Sequence, residues 1–405
     1  MNKIRFIRLC VAFLLTVTVG KPAAQTIALS DNPDFIRASI ITASPGRMPQ
    51  QASGHAAIRL ECPEHGLDRI FTFENNSDNN FIKLFFEGAK GRIFEFNTND
   101  YIYQYHLEGR GVFSYPLNLE LNEKARLWEV LDSMKTLPEW SFDIIDSHCF
   151  SEITRSVSIA VRPDRIDWDS PLMQSRTYFE NAWSTTGGKS PWLLSVMMLP
   201  LGNMADTSGE GRKFVYPVVF DSIYSEFKIV SPDGSSRPLI VGEREIILEK
   251  TDLSLDRPVR PTPTEAGVVV VALLLVITIL QVSFKWNLLG KITDSIIWAI
   301  IICGGIFIAL VTYMPGHAGG NWNWPLIVVN PLAWIPIVAC RRHPQALRVV
   351  WLTYAIILVV FAVGIGWVSP GVIPFWRLLS VAFAIRCASH LFLDDQSRKS
   401  TGTKT

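Results

Sequence analysis

The last third of the chain is dominated by long apolar runs, and they constrain its fold more than any other feature. Five runs follow one another, and each is close to the ~20 residues that a helix needs to cross the hydrocarbon of a bilayer. They cover residues 266–284, 295–314, 325–340, 347–368 and 372–393. We therefore predict an all-α transmembrane domain of five helices at 266–393, followed by a tail at 394–405.

The charges between these runs predict the orientation of the helices. Loops two and four, residues 315–324 and 368–374, contain no Lys or Arg. Basic residues instead lie at the first loop, the third loop and the tail: Lys285, Lys291, Arg341, Arg342, Arg348, Arg398, Lys399 and Lys404. Under the positive-inside rule, the C-terminus lies in the cytoplasm and the preceding domain lies outside it, as in a multi-pass protein of the inner membrane.

The N-terminal segment supports that orientation. Residues 1–24 combine a basic start, an apolar run at 9–19 and the small residues Ala23 and Ala24, as in a cleaved signal peptide. Residues 25–256 then form a predicted periplasmic domain, and the proline-rich stretch 257–265 reads as a stiff linker to the membrane. The net charge of +1 argues against nucleic acid as a partner.

The periplasmic part mixes strand and helix patterns, which indicates an α+β domain. Strand-like alternation occurs at 35–43, 55–60, 69–73, 101–119 and 214–248. Apolar residues at helical spacing predict one helix at 122–134 and a second from Ser147 through Val157. Cys149 falls in the first turn of this second helix.

Two cysteines belong to this domain, and they allow two interpretations. Cys149 at a helix N-terminus would have a lowered pKa and could act as a nucleophile, with His55 as the proton acceptor. His148 is a competing base, or it could contribute to an oxyanion site. Alternatively, Cys62 and Cys149 form a disulfide in an oxidising compartment. We predict no metal site and no cofactor, because the Cys62–His65 pair has no clean second pair of ligands.

Several short motifs together resemble the Lnb-type family. They are 41–46 (Ile-Thr-Ala-Ser-Pro-Gly), 53–59 around His55, 105–112 with 116–119, His148-Cys149 and 201–206. The membrane part, with 317–323 and 330–332, resembles the membrane domain fused to such domains. The resemblance implies a circularly permuted papain-like (NlpC/P60-like) fold and lipoprotein N-acylation. Members of the family usually place Asn before the cysteine, where this chain has His148, and small hydroxyl residues after it, where this chain has Phe150 and Ser151.

The resemblance implies an acyltransferase mechanism with named roles. Cys149 would take an acyl chain from a phospholipid as a thioester, and a lipoprotein N-terminal amine would receive it, with His55 as the base. Glu74 would orient His55, with Asn75 as a second choice.

Further residues are candidate substrate contacts. Arg59 and Arg110 could bind phosphate or carboxylate, or they could be ordinary paired arginines. In the second loop, His317, Asn321 and Asn323 could bind lipid head groups or dock the periplasmic domain, beside tryptophans expected at a membrane interface. Two rival functions remain open: a cysteine peptidase or amidase acting on cell-wall peptides, and a non-catalytic envelope protein with a Cys62–Cys149 disulfide.

Overall fold

The protein consists of a mixed α+β part followed by a helical part. The computed structural model describes residues 32–46, 51, 53–75, 88–142, 147–171, 176–183, 191–208, 217–252, 260–313, 322–369 and 371–402. The predicted signal peptide, His317 and Asn321 lie outside these residues.

A seven-stranded antiparallel sheet forms the centre of the N-terminal part. Its strands are β1 (Arg37–Ala43), β2 (His55–Cys62), β3 (Leu67–Asn75), β4 (Ala89–Asn97), β5 (Val112–Pro116), β6 (Trp140–Phe142) and β10 (Glu245–Leu248). They follow the order β10-β5-β1-β2-β3-β4-β6. A second sheet, of three strands, contains β7 (Arg165–Asp167), β8 (Lys228–Val230) and β9 (Ser236–Pro238).

Helices cover both faces of the large sheet. Because successive side chains of a strand point to opposite faces, Ala56 and Ile58 of β2 face one layer and Ala57 faces the other. The first layer contains α2 (Leu121–Lys135) and α3 (Cys149–Ala160). The second contains α1 (Thr98–Leu107), whose Tyr101 and Tyr105 are buried against Ala57. The first layer is the larger core of the N-terminal part.

Two of the predicted strands are partly wrong. The stretch predicted as strand at 101–119 begins in α1 and reaches extended structure only at β5. The side chain of Asn97 accepts a hydrogen bond from the amide of Asn99 and starts the helix, and burial of Tyr101 and Tyr105 one turn apart outweighs the strand preference of tyrosine. Likewise, α6 (Pro217–Ile223) occupies part of the stretch 214–248. The predicted helices at 122–134 and 147–157 are confirmed as α2 and α3.

Within the described residues of the C-terminal part, four helices are long and apolar enough to cross a membrane. They are α7 (Pro263–Phe284), α8 (Asn287–Tyr313), α11 (Pro344–Val368) and α12 (Pro374–Gly402), of which residues 374–393 form the apolar part. The third predicted span is not a continuous helix. It consists of two short helices, α9 (Pro325–Val328) and α10 (Trp334–Cys340), separated by five residues that include Pro331. Proline lacks the N–H that a continuous helix needs there.

Among the described residues, the hydrogen bonds between the two parts come from one segment of the N-terminal part. This segment contains α5 (Pro191–Leu201) and the 3-10 turn Gly202–Asp206. The amide of Asn203 donates to the carbonyl of Trp322 at 2.8 Å, and Asp206 accepts from Ser369 and, at 2.7 Å, from the amide of Gly371. Trp322, just before α9, and Ser369 and Gly371, between α11 and α12, therefore lie at the end of the helical part that contacts the sheet domain.

Candidate active site

His55 is the first residue of β2 and follows Gly54, a position at which a side chain does not fit. Gly54 has φ +78°, and a Cβ there would lie 2.6 Å from the carbonyl oxygen of Ala43. This left-handed turn brings the chain into register with β1, where His55 pairs with Ala43. The small-residue turn before His55 thus sets where the imidazole enters the sheet.

A chain of hydrogen bonds orients the imidazole. Nε2 of His55 lies 2.5 Å from Oγ1 of Thr72 on β3, and Thr72 donates its hydroxyl to Oε1 of Glu74 at 3.4 Å. When the single hydroxyl proton of Thr72 goes to Glu74, Oγ1 accepts from His55, and this arrangement places the proton of the neutral ring on Nε2. Nδ1 is then the nitrogen with a free lone pair, which is what a general base requires.

Cys149 is the first residue of α3, and its thiol lies against the strand that carries His55. The sulfur receives backbone hydrogen bonds from Ala56, the residue after His55, and from Phe150. The pairing of β2 with β3 extends only as far as Ala57 and Thr72, so Ala56 lies just beyond the last pair. The N-terminus of α3 therefore lies against β2 next to the residue that follows His55, although the two elements are almost a hundred residues apart in the chain.

Burial keeps both groups neutral. It raises the pKa of the Cys149 thiol to about 11, and the negative charge of Glu74 adds to this shift, although backbone hydrogen bonds oppose it. Burial also lowers the pKa of His55 to about 4, and the positive charge of Arg110 adds to that shift. The predicted lowering of the Cys149 pKa is therefore wrong in its net direction, although the amide of Phe150 in the first helical turn does lower it. Desolvation of the sulfur destabilises the thiolate by more than the backbone amides stabilise it.

His148 acts as the cap of α3. Its Nδ1 accepts a hydrogen bond from the amide of Phe150 at 3.3 Å, and its own amide donates to Oγ of Ser151 at 2.7 Å. Asn is among the residues preferred at this position, and a histidine ring nitrogen supplies the same acceptor. His148 thus holds the helix terminus that carries Cys149, and the Nδ1 used for capping cannot also donate to an oxyanion.

Arg110 is buried next to this site. Its Nε donates to the carbonyl of Ser44 at 2.6 Å, its Nη1 pairs with Glu108 at 2.9 Å, and the guanidinium lies 4.6 Å from the ring centre of Tyr105. Its Nη2 has no hydrogen-bond partner among the residues that the structure describes. The arginine therefore brings a positive charge close to His55 and retains one donor group.

The other predicted contacts lie elsewhere or serve other roles. Arg59 makes two hydrogen bonds to Asp68, at 2.8 and 2.9 Å, and a third contact to Glu61, as in the paired-arginine alternative. Asn323 is buried and donates to Oγ1 of Thr312 and to the carbonyl of Leu199, so it joins the two parts of the protein.

The disulfide alternative is wrong. Both Cys62 and Cys149 are free, and Cys62 is buried with Phe35 and Ile36 at the other end of β2. Cys62 lies six steps along the strand from Ala56, a distance of about 20 Å. Bonded cysteines need Cα atoms within roughly 7 Å of each other.

Comparison with known families explains the arrangement of the chain. Residues 25–181 match the Lnb N-terminal periplasmic domain, and residues 256–398 match the Lnb transmembrane domain. The chain belongs to the Lnb family. It is thus a membrane protein whose N-terminal domain is periplasmic, and the resemblance noted in the sequence is confirmed. No curated protein and no solved structure matches this Lnb chain.

Sequence reasoning missed Thr72 in this Lnb family member. The hydroxyl lies between His55 and Glu74, so Glu74 reaches the imidazole only through it. Strand alternation could have predicted this contact, because Thr72 and Glu74 are two residues apart on β3 and their side chains share a face of the sheet.

Proposed function

We propose that this protein is a membrane-anchored periplasmic acyltransferase that uses Cys149 as its nucleophile. The order of the elements supports the proposal, because a strand that carries histidine precedes the helix that carries cysteine, as in circularly permuted papain-like folds. Family membership supports it too, since both halves of the chain match Lnb domains.

In the first half-reaction, the thiol of Cys149 attacks the ester carbonyl of a phospholipid. Nδ1 of His55 accepts the thiol proton as the carbon–sulfur bond forms. The carbon–oxygen bond of the ester then breaks, and the same proton passes to the glycerol oxygen. The products are an acyl thioester on Cys149 and a lysophospholipid.

In the second half-reaction, the N-terminal amine of a lipoprotein attacks the thioester carbonyl. His55 accepts a proton from the amine, the carbon–sulfur bond breaks, and the sulfur of Cys149 takes the proton back. The product is an amide. Thr72 and Glu74 keep the imidazole proton on Nε2 through both steps, so Nδ1 acts as the base each time.

Two further side chains support this chemistry. Arg110 is the candidate contact for phosphate or carbonyl oxygens, because its Nη2 lacks a partner among the described residues. His148 positions Cys149 by capping α3. Arg59 has no such role in this proposal, since its guanidinium is committed to Asp68 and Glu61.

The proposed location is the inner membrane with the C-terminus in the cytoplasm. Asn323, before α9, and Ser369, after α11, both contact the segment at residues 199–206. Between them, Cys340 and Pro344 are joined by a short turn at the opposite end. The broken third segment then counts as a crossing, which gives five crossings in all and agrees with the basic residues in the loops.

The observation that carries the proposal is the placement of the Cys149 thiol beside the strand residue that follows His55, with the base oriented by Thr72 and Glu74. The test is the intact mass of the detergent-purified protein after incubation with phospholipid. We expect an acyl adduct that hydroxylamine releases, that is absent from Cys149→Ser and that persists in Cys62→Ser.

An adduct absent from wild type, or present in Cys149→Ser, would refute the thioester. Release of cell-wall peptide fragments by a protein that forms no lipid adduct would favour the peptidase or amidase.

A further inference from the structure

The helical part contains an elongated cavity that the proposed chemistry does not use. Its volume is about 290 Å³, close to the lower end of the range of cavities that bind small molecules, roughly 300–1,000 Å³. It lies between α8, α11, α12 and the broken third segment. We propose that this cavity binds one hydrocarbon chain of a lipid substrate. The binding of a chain is argued from the cavity itself, and its identity as a substrate chain rests on the proposed acyl transfer.

The shape of the cavity follows from the spacing of the residues that line it. Three helices contribute stripes of the same length: Asp294 to Ile301 on α8, Trp351 to Leu358 on α11, and Phe383 to His390 on α12. Each stripe spans eight residues, which is a rise of about 10 Å along a helix. A channel of this length between three helices suits a narrow, extended ligand.

The chemistry of the wall excludes water as the preferred occupant. The middle of the cavity is lined by apolar side chains such as Ile297, Leu358 and Phe383. A buried water needs two to four polar partners, and these three side chains supply none. The helices around the cavity are long and apolar enough to cross a membrane, so the medium outside them consists of lipid chains.

One end of the cavity is closed by a satisfied polar cluster. Arg386 donates to Asp294, Thr278 and Gln281 through all three of its nitrogens, at 2.7 to 3.0 Å. His390 lies 3.2 Å from Asp294, and its ring stacks on Trp351 with centroids 4.2 Å apart. Because every nitrogen of Arg386 already donates a hydrogen bond within the protein, we do not expect a charged head group to bind at this end.

The other end reaches the contact between the two parts of the protein. Trp322 lines the cavity, and its backbone bonds to Asn203 of the sheet domain. Trp322 and Ile357 of the wall are both exposed at the surface that would face lipid. A chain would therefore enter with its polar end towards the sheet domain and its methyl end towards Arg386, which leaves the ester on the side of the catalytic domain.

Photo-crosslinking tests this proposal without requiring catalysis. The full-length protein, as wild type and as Cys149→Ser, is placed in phosphatidylethanolamine vesicles. One arm contains a phosphatidylethanolamine with a diazirine on one acyl chain, and the other a diacylglyceryl-cysteine peptide with the same diazirine. After irradiation, we expect adducts on Ile301, Leu358 or Phe383 in at least one arm, and the arm that gives them identifies the source of the chain.

Matched variants separate the cavity from ordinary surface lipid. Leu358→Trp fills the cavity, whereas Val359→Trp adds the same side chain to the next residue of α11, which is exposed. We expect loss of cavity adducts in the first variant and their retention in the second. Ile301→Trp replaces Leu358→Trp if that variant does not fold.

Adducts confined to exposed residues such as Val359 and Val363, in both arms of wild type, would overturn the proposal. If wild type gives cavity adducts but forms no thioester, the transfer reaction is refuted and the cavity assignment stands. If wild type forms the thioester but gives no cavity adducts, the cavity assignment is refuted and the transfer reaction stands.

Discussion

The neutral state of Cys149 predicts how its reactivity depends on pH. A thiol with a pKa of about 11 is ionised to about one part in 10⁴ at pH 7, compared with about one part in 10² for a pKa of 9.0. The shift of two pH units corresponds to about 2.7 kcal/mol against the thiolate. Alkylation should therefore be about a hundredfold slower at pH 7 than for such a thiol, and its rate should rise about tenfold per pH unit from pH 5 to 10.

The assay is the rate of iodoacetamide labelling of Cys149, followed by peptide mass spectrometry on the detergent-purified protein. N-acetylcysteine serves as the reference thiol, and Cys149→Ser identifies the signal. Limited access to the site lowers every rate by the same factor, but the pH at which the rate levels off depends only on ionisation. A plateau between pH 5 and 8 would refute the neutral pair and would indicate a thiolate paired with an imidazolium.

Removal of the imidazole provides an independent check. With the pKa of His55 lowered to about 4, the ring carries no charge across the assay range and does not stabilise a thiolate. His55→Ala should therefore leave the pH profile of alkylation in place, while it abolishes acyl transfer. A shift of the profile to higher pH in His55→Ala would mean that the ring is charged in the resting protein.

Four further outcomes follow from named contacts. Thr72→Val should lower acyl transfer by about 10²-fold by releasing the imidazole, whereas Thr72→Ser should retain it, as kcat measurements would show; equal losses would contradict the relay. Cys62→Ser should keep full transfer activity and lose about 1–3 kcal/mol of stability in thermal unfolding, because it buries a hydroxyl; a selective loss of activity would contradict this. Gly305→Ala should lower the unfolding temperature in detergent by the equivalent of about 1–3 kcal/mol, because its Cβ would lie 2.0 Å from a backbone oxygen of the broken segment, whereas Gly304→Ala, with open space, should not. Asp206→Ala removes two hydrogen bonds between the two parts and should increase hydrogen exchange in the turn at 202–206; unchanged exchange would show that apolar packing alone holds the contact.

The placement of Cys149 shows how far the sequence could predict the site. Helical periodicity and the start near Ser147 gave the helix and put the cysteine in its first turn, which is confirmed. Its pKa could not be predicted in the same way. The helix N-terminus is a local feature, but desolvation depends on the strand that packs against the sulfur, and periodicity carries no information about that packing.

The third apolar run shows the complementary limit. Its length and hydropathy are those of a spanning helix, although Pro331 within it lacks a backbone N–H. In the fold, the carbonyl of Val329 approaches α8 at Gly305, where no side chain obstructs it. This close approach depends on two segments more than twenty residues apart, so neither segment predicts the break without the other.

A neutral and partly buried Cys–His pair suits the proposed transfer better than hydrolysis. The acyl thioester of the proposed reaction must persist until an amine arrives, and water is its competitor. The burial that keeps the Cys149 thiol protonated also restricts water near the sulfur, so low resting reactivity and protection of the intermediate have the same cause. In the proposed mechanism, activation is deferred until a substrate carbonyl is in place and Nδ1 of His55 takes the proton during attack. A hydrolase needs water at that carbonyl, so burial of this kind would slow its second step.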